Sequence, residues 1–155
     1  MSVIKQKLSD SLKEAMKARD EVRTGTIRMM ISEIKKRDID YEIKGKPAMD
    51  DNEAMGVLLT MVKQRRESSA TYVTANRPEL AAKEDVEIGI IEQFLPKQLG
   101  DAEAKAKIQA IVQQLGANGP KDMGKVMAAV KEQLVGQFDM SKASALVKEV
   151  LSAAA

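Results

Sequence analysis

Apolar residues recur at intervals of three and four along almost the entire chain, and this spacing constrains the fold more than any other feature. Ile108, Ile111, Val112 and Leu115 illustrate it, because they occupy positions i, i+3, i+4 and i+7 on one face of a helix. No segment longer than a few residues alternates apolar and polar side chains, as a half-buried strand would. The pattern therefore predicts an all-α protein.

Local signals predict where seven helices begin and end. Asp50 followed by Glu53 predicts a capping box, and Pro78 suits the first turn of a helix. Asp101 and Asp122 are predicted to cap the fifth and sixth helices. The predicted helices cover about residues 3–18, 21–41, 50–76, 78–94, 101–115 and 122–135, with a seventh that starts after Asp139 or Ser141. Their predicted inward residues include the four-residue series Ile4, Leu8, Leu12 and Met16, and also Val86.

Pro96 marks the predicted domain boundary. It lies in the segment LPKQLG, between the fourth and fifth predicted helices. We expect residues 1–96 to form an N-terminal four-helix domain and residues 97–155 to form a compact three-helix domain. Because the segment from Lys97 to Gly100 reads as a polar, exposed linker, we also expect the earliest proteolytic cuts there.

The composition excludes several classes of function. The chain has no Cys and no His, so it lacks thiol nucleophiles, imidazole bases and the usual ligands of transition metals. We therefore predict no catalytic residues, no cofactor and no metal. The chain has no apolar run long enough for a membrane span, and the lack of Cys fits a reducing compartment, so we expect a cytoplasmic protein with no membrane partner.

Net charge limits how this chain could bind a nucleic acid. The charge is +2, and it arises after Pro96, because the preceding residues include equal numbers of acidic and basic side chains. Contacts with phosphates must then come from local patches, and binding should be weak and sensitive to salt. Aromatic residues make up only 3%, which argues against stacking on single strands and favours recognition of a folded RNA.

The run KQRRES, from Lys63 to Ser68, has two interpretations. Adjacent helical residues point about 100° apart, so its cations cannot form one tight cluster. We favour a solvated face in which the arginines pair with acidic residues of a neighbouring turn. The alternative is a patch in which Arg65 and Arg66 contact phosphate, joined by Arg28 and Lys35.

The segment DMGK contains the second candidate site. Gly124 is predicted in the first turn of the sixth helix, where glycine costs roughly 1 kcal/mol relative to alanine. We favour close packing against a neighbouring helix as its reason. The alternative is the approach of a sugar–phosphate backbone to the helix start, with Lys121 and Lys125 as cations. Lys131 and Lys142 would extend this patch if the sixth and seventh helices pack antiparallel.

Several motifs resemble one protein family. They are KQRRES, NRPELAAKE and FLPKQL between Lys63 and Leu99, then DMGKVM, and finally GQFDMSKASALVKEVL. Together they resemble stand-alone YqeY-like members of the GatB/YqeY family. The resemblance implies an all-helical two-domain protein whose C-terminal part is similar to the tail of the B subunit of the tRNA-dependent amidotransferase, which engages tRNA. It also implies that the DMGKVM lysines face tRNA.

Three functions compete on these observations. The first is a tRNA-binding accessory protein that acts alone or with an aminoacyl-tRNA synthetase or an amidotransferase. The second is a helical protein-interaction adaptor without nucleic-acid contact. The third is a carbon–nitrogen ligase with glutamine as amide donor, a label that the family carries. The missing Cys and His count against the third as an intrinsic activity.

Overall fold

A computed structural model describes residues 2–154, and every regular element in that range is a helix, so the predicted all-α fold is confirmed. The described residues form seven α-helices and one turn of 3₁₀-helix, Pro120–Asp122. The α-helices are α1 (Val3–Lys17), α2 (Glu21–Ile43), α3 (Asp51–Thr74), α4 (Pro78–Glu92), α5 (Asp101–Leu115), α6 (Met123–Gln133) and α7 (Met140–Ala154). None of these helices combines the length and hydropathy that a membrane span requires.

Most helix ends follow the local signals of the sequence. The side chain of Asp50 accepts from Glu53 N–H while Glu53 accepts from Asp50 N–H, so the capping box is confirmed. Pro78 is the first residue of α4, and Gly116 ends α5 with a left-handed φ of 62°. Asp101 was wrongly predicted as a cap: it is the first residue of α5, after Gly100. Of the two candidates for α7, Asp139 is the one whose Oδ1 accepts from the N–H of the first turn.

The chain divides into two compact units, Met1–Pro96 and Lys97–Ala155. In the first unit, α1 and α2 form a hairpin that packs on α3 and α4. Its core contains the fully buried side chains Leu8, Ile27, Met30, Leu58 and Ile91. Each of these contributes about 1.5–3 kcal/mol through burial of apolar surface.

Asp51 ties the start of α1 to the start of α3. Its carboxylate accepts hydrogen bonds from the hydroxyl of Ser2 and from the N–H groups of Val3 and Ile4, the latter two at 3.2 Å. The hydrogen bond from Ser2 has the largest influence on the pKa of this carboxyl, and together with the bonds from the two N–H groups it lowers the pKa of Asp51. The ionised form of Asp51 therefore stabilises the native arrangement.

Two residues predicted to face inward are exposed. Met16 is 51% exposed, and Ala15 is buried in its place, because a four-residue spacing drifts about 40° per step around a helix of 3.6 residues per turn. Val86 is 53% exposed, because it lies five residues before the buried Ile91, about 140° around α4. In both cases the helix was predicted correctly and the angular position of one residue was wrong.

The second unit is a three-helix bundle of α5, α6 and α7. Val126, Val130, Ile108, Val147 and Leu151 are fully buried in its core.

The segment before α5 belongs to this unit and is not a free linker. Leu99 N–H donates to Gln137 O at 2.9 Å, and the amide of Gln98 donates to Gly136 O at 2.7 Å. Both residues are half-buried. The expectation that Lys97 to Gly100 is an exposed linker is therefore wrong for its central residues.

Candidate nucleic-acid interface

The turn between α5 and α6 presents the predicted DMGK site. Gly116 reverses the chain, and the N–H of Ala117 donates to Val112 O at 3.1 Å. Pro120 then starts a single 3₁₀ turn, which continues directly into α6. Lys121 lies in this turn and Lys125 in the first turn of α6. Both lysines are exposed at the same end of the bundle.

Asp122 occupies the residue before α6, but its side chain does not cap the helix. Its backbone is close to helical (φ −92°, ψ 5°), so the carboxylate is not directed at the N–H groups of the first turn. The 3₁₀ turn supplies backbone partners instead: Asp122 N–H donates to Gly119 O and Met123 N–H to Pro120 O. The carboxylate accepts from Asn118 N–H at 3.1 Å and thereby stabilises the preceding turn.

Gly124 is exposed, and the prediction that it packs closely against a neighbouring helix is wrong. A Cβ placed on it would meet no atom within 4 Å. The reason is angular: Val126, two residues later, is buried, so Gly124 lies on the opposite side of α6. Packing does not account for a glycine at this position, and the alternative of a surface role remains.

Lys121 and Lys125 differ in their contacts. Lys125 Nζ donates to Leu115 O at 3.3 Å, which places a positive charge at the C-terminus of α5, where the helix dipole favours it. Lys121 has no hydrogen-bond or ion-pair partner among residues 2–154. Together with Gly124 they form a small exposed surface, here called the α6 start.

Lys131 and Lys142 do not extend the α6 start. Lys131 lies six residues after Lys125, which is about 9 Å along the axis and about 120° around it. Lys142 Nζ lies 4.0 Å from Asp101 Oδ1, at the first residue of α5, whereas Lys125 contacts the last. The two ends of α5 are about 21 Å apart. Lys121 and Lys125 therefore lie at one end of the bundle, and Lys131 and Lys142 lie toward the other.

The two arginines of KQRRES both pair with acidic residues of α4. Arg65 Nε lies 3.0 Å from Glu87 Oε2, with both side chains about 15% exposed or less, and Arg65 also donates to Met61 O. Arg66 Nη2 lies 2.7 Å from Glu92 Oε1, with 60% of the arginine side chain exposed. This geometry favours the interpretation of an ion-paired face. The partners come from the next helix rather than from a neighbouring turn of α3.

Two further features of the first unit were not predicted from the sequence. One is the ion pair of Lys5 with Asp38, at 2.7 Å, which joins α1 to α2. Burial is the largest influence on this carboxyl and acts to raise its pKa, but the hydrogen bonds from Lys5 and from Met49 N–H lower the pKa of Asp38 overall. The other is an apolar groove on the outer side of the α1–α2 hairpin. Both depend on pairing between helices, which spacing within one helix does not reveal.

In a chain without Cys and His, acidic side chains are the remaining charged metal ligands. The part of the chain that the structure describes contains no group of three or more Asp or Glu residues arranged to hold a metal ion.

Comparison with known proteins identifies relatives across most of the chain. Residues 5–151 match the model of the family described as "Yqey-like protein". Three similar proteins share the name "Altered inheritance of mitochondria protein 41, mitochondrial". The protein from Eremothecium gossypii is 32% identical over 151 residues, which cover 95% of this chain and 80% of that protein. The protein from Lachancea thermotolerans is 31% identical, with 73% and 60% covered.

The third, from Vanderwaltozyma polyspora, is 35% identical over 88 residues, which cover 57% of this chain and 46% of that protein. The matches therefore span less than two thirds of the Lachancea and Vanderwaltozyma proteins. The family model, by contrast, covers nearly the whole of this chain, including α3, α4 and the α6 start. The chain belongs to the Yqey-like protein family.

Proposed function

We propose that this Yqey-like protein binds tRNA as an accessory protein and that the α6 start is the contact surface. The observation that carries the proposal is the exposed Gly124, which has open space where a Cβ would lie. A glycine in the first turn of a helix lowers stability unless something requires its small size. Close approach of a sugar–phosphate backbone, between Lys121 and Lys125, is such a requirement.

The electrostatics of the α6 start support contact with phosphate rather than with base edges. Lys121 is exposed and unpaired among the described residues, and Lys125 bonds only to a carbonyl, so both charges are available to an anion. Two phosphate contacts make a modest contribution, so binding should be weak and sensitive to salt. Recognition would then rest on the shape of a folded RNA.

The resemblance of the C-terminal unit to the tail of the amidotransferase B subunit supports tRNA as the RNA. In that setting the chain would act alone or beside an aminoacyl-tRNA synthetase or an amidotransferase. We assign no intrinsic carbon–nitrogen ligase activity, because the chain has neither the Cys nor the His that would supply an activated nucleophile or base. Its contribution is binding.

A titration of fluorescently labelled bulk tRNA at low salt tests the proposal. Lys121→Ala with Lys125→Ala should weaken binding of all tRNAs alike. Lys107→Ala with Lys148→Ala is the matched control, since it removes two exposed charges from the same unit away from the α6 start. Arg66→Ala tests the rival patch on α3, because the Arg66 side chain is 60% exposed. Arg65 is unsuitable because its ion pair with Glu87 is mostly buried. Wild-type protein that binds no tRNA at low salt would refute the proposal, and loss with Arg66→Ala alone would move the site to α3.

The cytoplasmic location stays a prediction. The names of the relatives place those proteins in mitochondria, and fractionation of cells that make this chain decides the question for it.

The alternative of a protein-interaction adaptor is favoured by one observation. Apolar side chains are exposed on the α1–α2 hairpin, among them Met16 and Ile39, each 51% exposed.

A further inference from the structure

The outer side of the α1–α2 hairpin has a groove that no other described helix of the first unit lines. The hairpin packs on α3 and α4. The groove has a volume of about 380 Å³ and is formed entirely by α1 and α2. On α1 the lining residues run from Lys5 to Leu12, about 10 Å, and the exposed Met16 lies one turn beyond them, so the lining and Met16 together extend about 16 Å along α1. That length accommodates three turns of an added helix.

The floor of the groove is apolar. Leu12 and Ile31 are partly buried and pack against the core from the outside, above the buried Leu8 and Ile34. One turn beyond Leu12 lies the exposed Met16, which continues the apolar strip along α1. A floor of this kind suits the apolar side chains of an amphipathic helix, and it offers nothing to a phosphate backbone.

The rim of the groove is positively charged and not neutralised. Arg28 and Lys35 are seven residues apart and so lie on the same face of α2; Arg28 Nη2 is 3.9 Å from Met16 Sδ, and Lys35 lines the groove. Neither has an acidic partner among residues 2–154. The one carboxylate that lines the groove, Asp38, is bound to Lys5. The complementary ligand is therefore apolar in the middle and acidic at its edges.

We propose that this groove binds an acidic amphipathic helix of a protein partner. The helix lays apolar side chains spaced by three and four residues on Leu12 and Ile31, and its carboxylates pair with Arg28 and Lys35. This surface is separate from the α6 start and goes beyond RNA binding. It gives a tRNA-binding accessory protein a means of attachment to a second protein.

Synthetic peptides of about 14 residues, near the minimum length for an isolated helix, provide the probes. The first has leucines spaced three and four residues apart with flanking glutamates. The second carries lysine in place of every glutamate, and the third carries glutamine in place of every leucine. Fluorescence anisotropy with the full chain should show binding of the first peptide and at least about tenfold weaker binding of the other two. Equal binding of the acidic and basic peptides, or no binding of the first at about 1 mM, would overturn the proposal.

Substitutions locate the contact. Arg28→Glu with Lys35→Glu should weaken binding of the acidic peptide at least about tenfold, and Met16→Gln should weaken it without a change of charge. Lys107→Glu with Lys148→Glu is the matched control and should leave it unchanged. All these residues are exposed, so circular dichroism should show intact helices. Peptide binding that survives the Arg28 and Lys35 change would contradict the proposal.

Two other occupants would be revealed by the same variants. If wild-type protein self-associates in sedimentation and the Arg28→Glu, Lys35→Glu variant does not, the occupant is a second copy of the chain. If that variant instead loses affinity for tRNA, the occupant is RNA. Either result would overturn the assignment to a partner helix. The tRNA contact proposed at the α6 start is tested separately, by the variant that changes Lys121 and Lys125.

Discussion

Replacement of Gly124 by larger residues should stabilise the protein. Gly124 lies in helical backbone, it is exposed, and a Cβ would meet no atom within 4 Å, so an added methyl group introduces no clash. The remaining effect is helix propensity, which favours alanine over glycine by about 0.8–1 kcal/mol in a helix interior. Because Gly124 is the second residue of α6, the lower part of that effect applies, and we expect a gain of about 0.3–0.8 kcal/mol for Gly124→Ala.

Gly124→Leu separates propensity from packing. Leucine has nearly the helix propensity of alanine, so an open site should give a similar gain of several tenths of a kcal/mol. A packed site would instead lose about 1–3 kcal/mol through overpacking. Chemical denaturation followed by circular dichroism measures the free energy of unfolding of each variant. Ala128→Gly provides the matched control, because Ala128 is exposed one turn later on α6 and should lose about 1 kcal/mol.

The same variants should weaken tRNA binding. A side chain at Gly124 occupies the space through which we propose that a sugar–phosphate backbone approaches. Stability should therefore rise while tRNA affinity falls, and the loss of affinity should be larger for leucine than for alanine. Destabilisation by both substitutions would refute the description of an open site. Unchanged tRNA affinity with raised stability would refute the proposed role of Gly124 in binding.

Three further predictions concern the first unit. Arg65→Ala should lower the free energy of unfolding by about 2–3 kcal/mol, because it leaves Glu87 poorly solvated without its partner, while Arg66→Ala should lower it by less than about 1 kcal/mol; denaturant titration compares the two. Asp51→Asn should flatten the acid limb of the stability–pH curve, because folding lowers the pKa of Asp51. The stabilisation by this carboxylate is fully present above the unfolded pKa of about 3.9 and is lost as the pH falls through the folded pKa. An equally steep acid limb in the variant would contradict this. Trypsin should cut first after Lys44, in the exposed segment that follows α2, and a first cut in the segment before α5 would count against the hydrogen-bonded arrangement found there.

The helices could be predicted from sequence because their signals are local. The capping box at Asp50 and Pro78 at the start of α4 each act within one turn of chain, and each was identified. Errors arose where a prediction depended on angle. Met16 and Gly124 both lie within correctly predicted helices, yet a shift of one or two residues moves a side chain from the core to solvent.

Contacts between helices could not be predicted in the same way. Arg65 reads as a surface cation from its neighbours in sequence, and only the packing of α3 on α4 brings Glu87 to within 3.0 Å of it. The groove between Leu12 and Ile31 likewise requires the register of α1 against α2. The division of the four candidate lysines between two ends of the bundle follows from the course of α5, α6 and α7 and from no single segment.

The salt dependence of tRNA affinity tests the central claim most directly. Each lysine that contacts a phosphate contributes about one unit to the slope of log affinity against log salt concentration. We predict that wild-type protein binds tRNA with a measurable negative slope, and that Lys121→Ala with Lys125→Ala flattens it by up to about two units. A double variant whose slope and affinity equal those of the wild type would contradict the claim that the α6 start contacts tRNA.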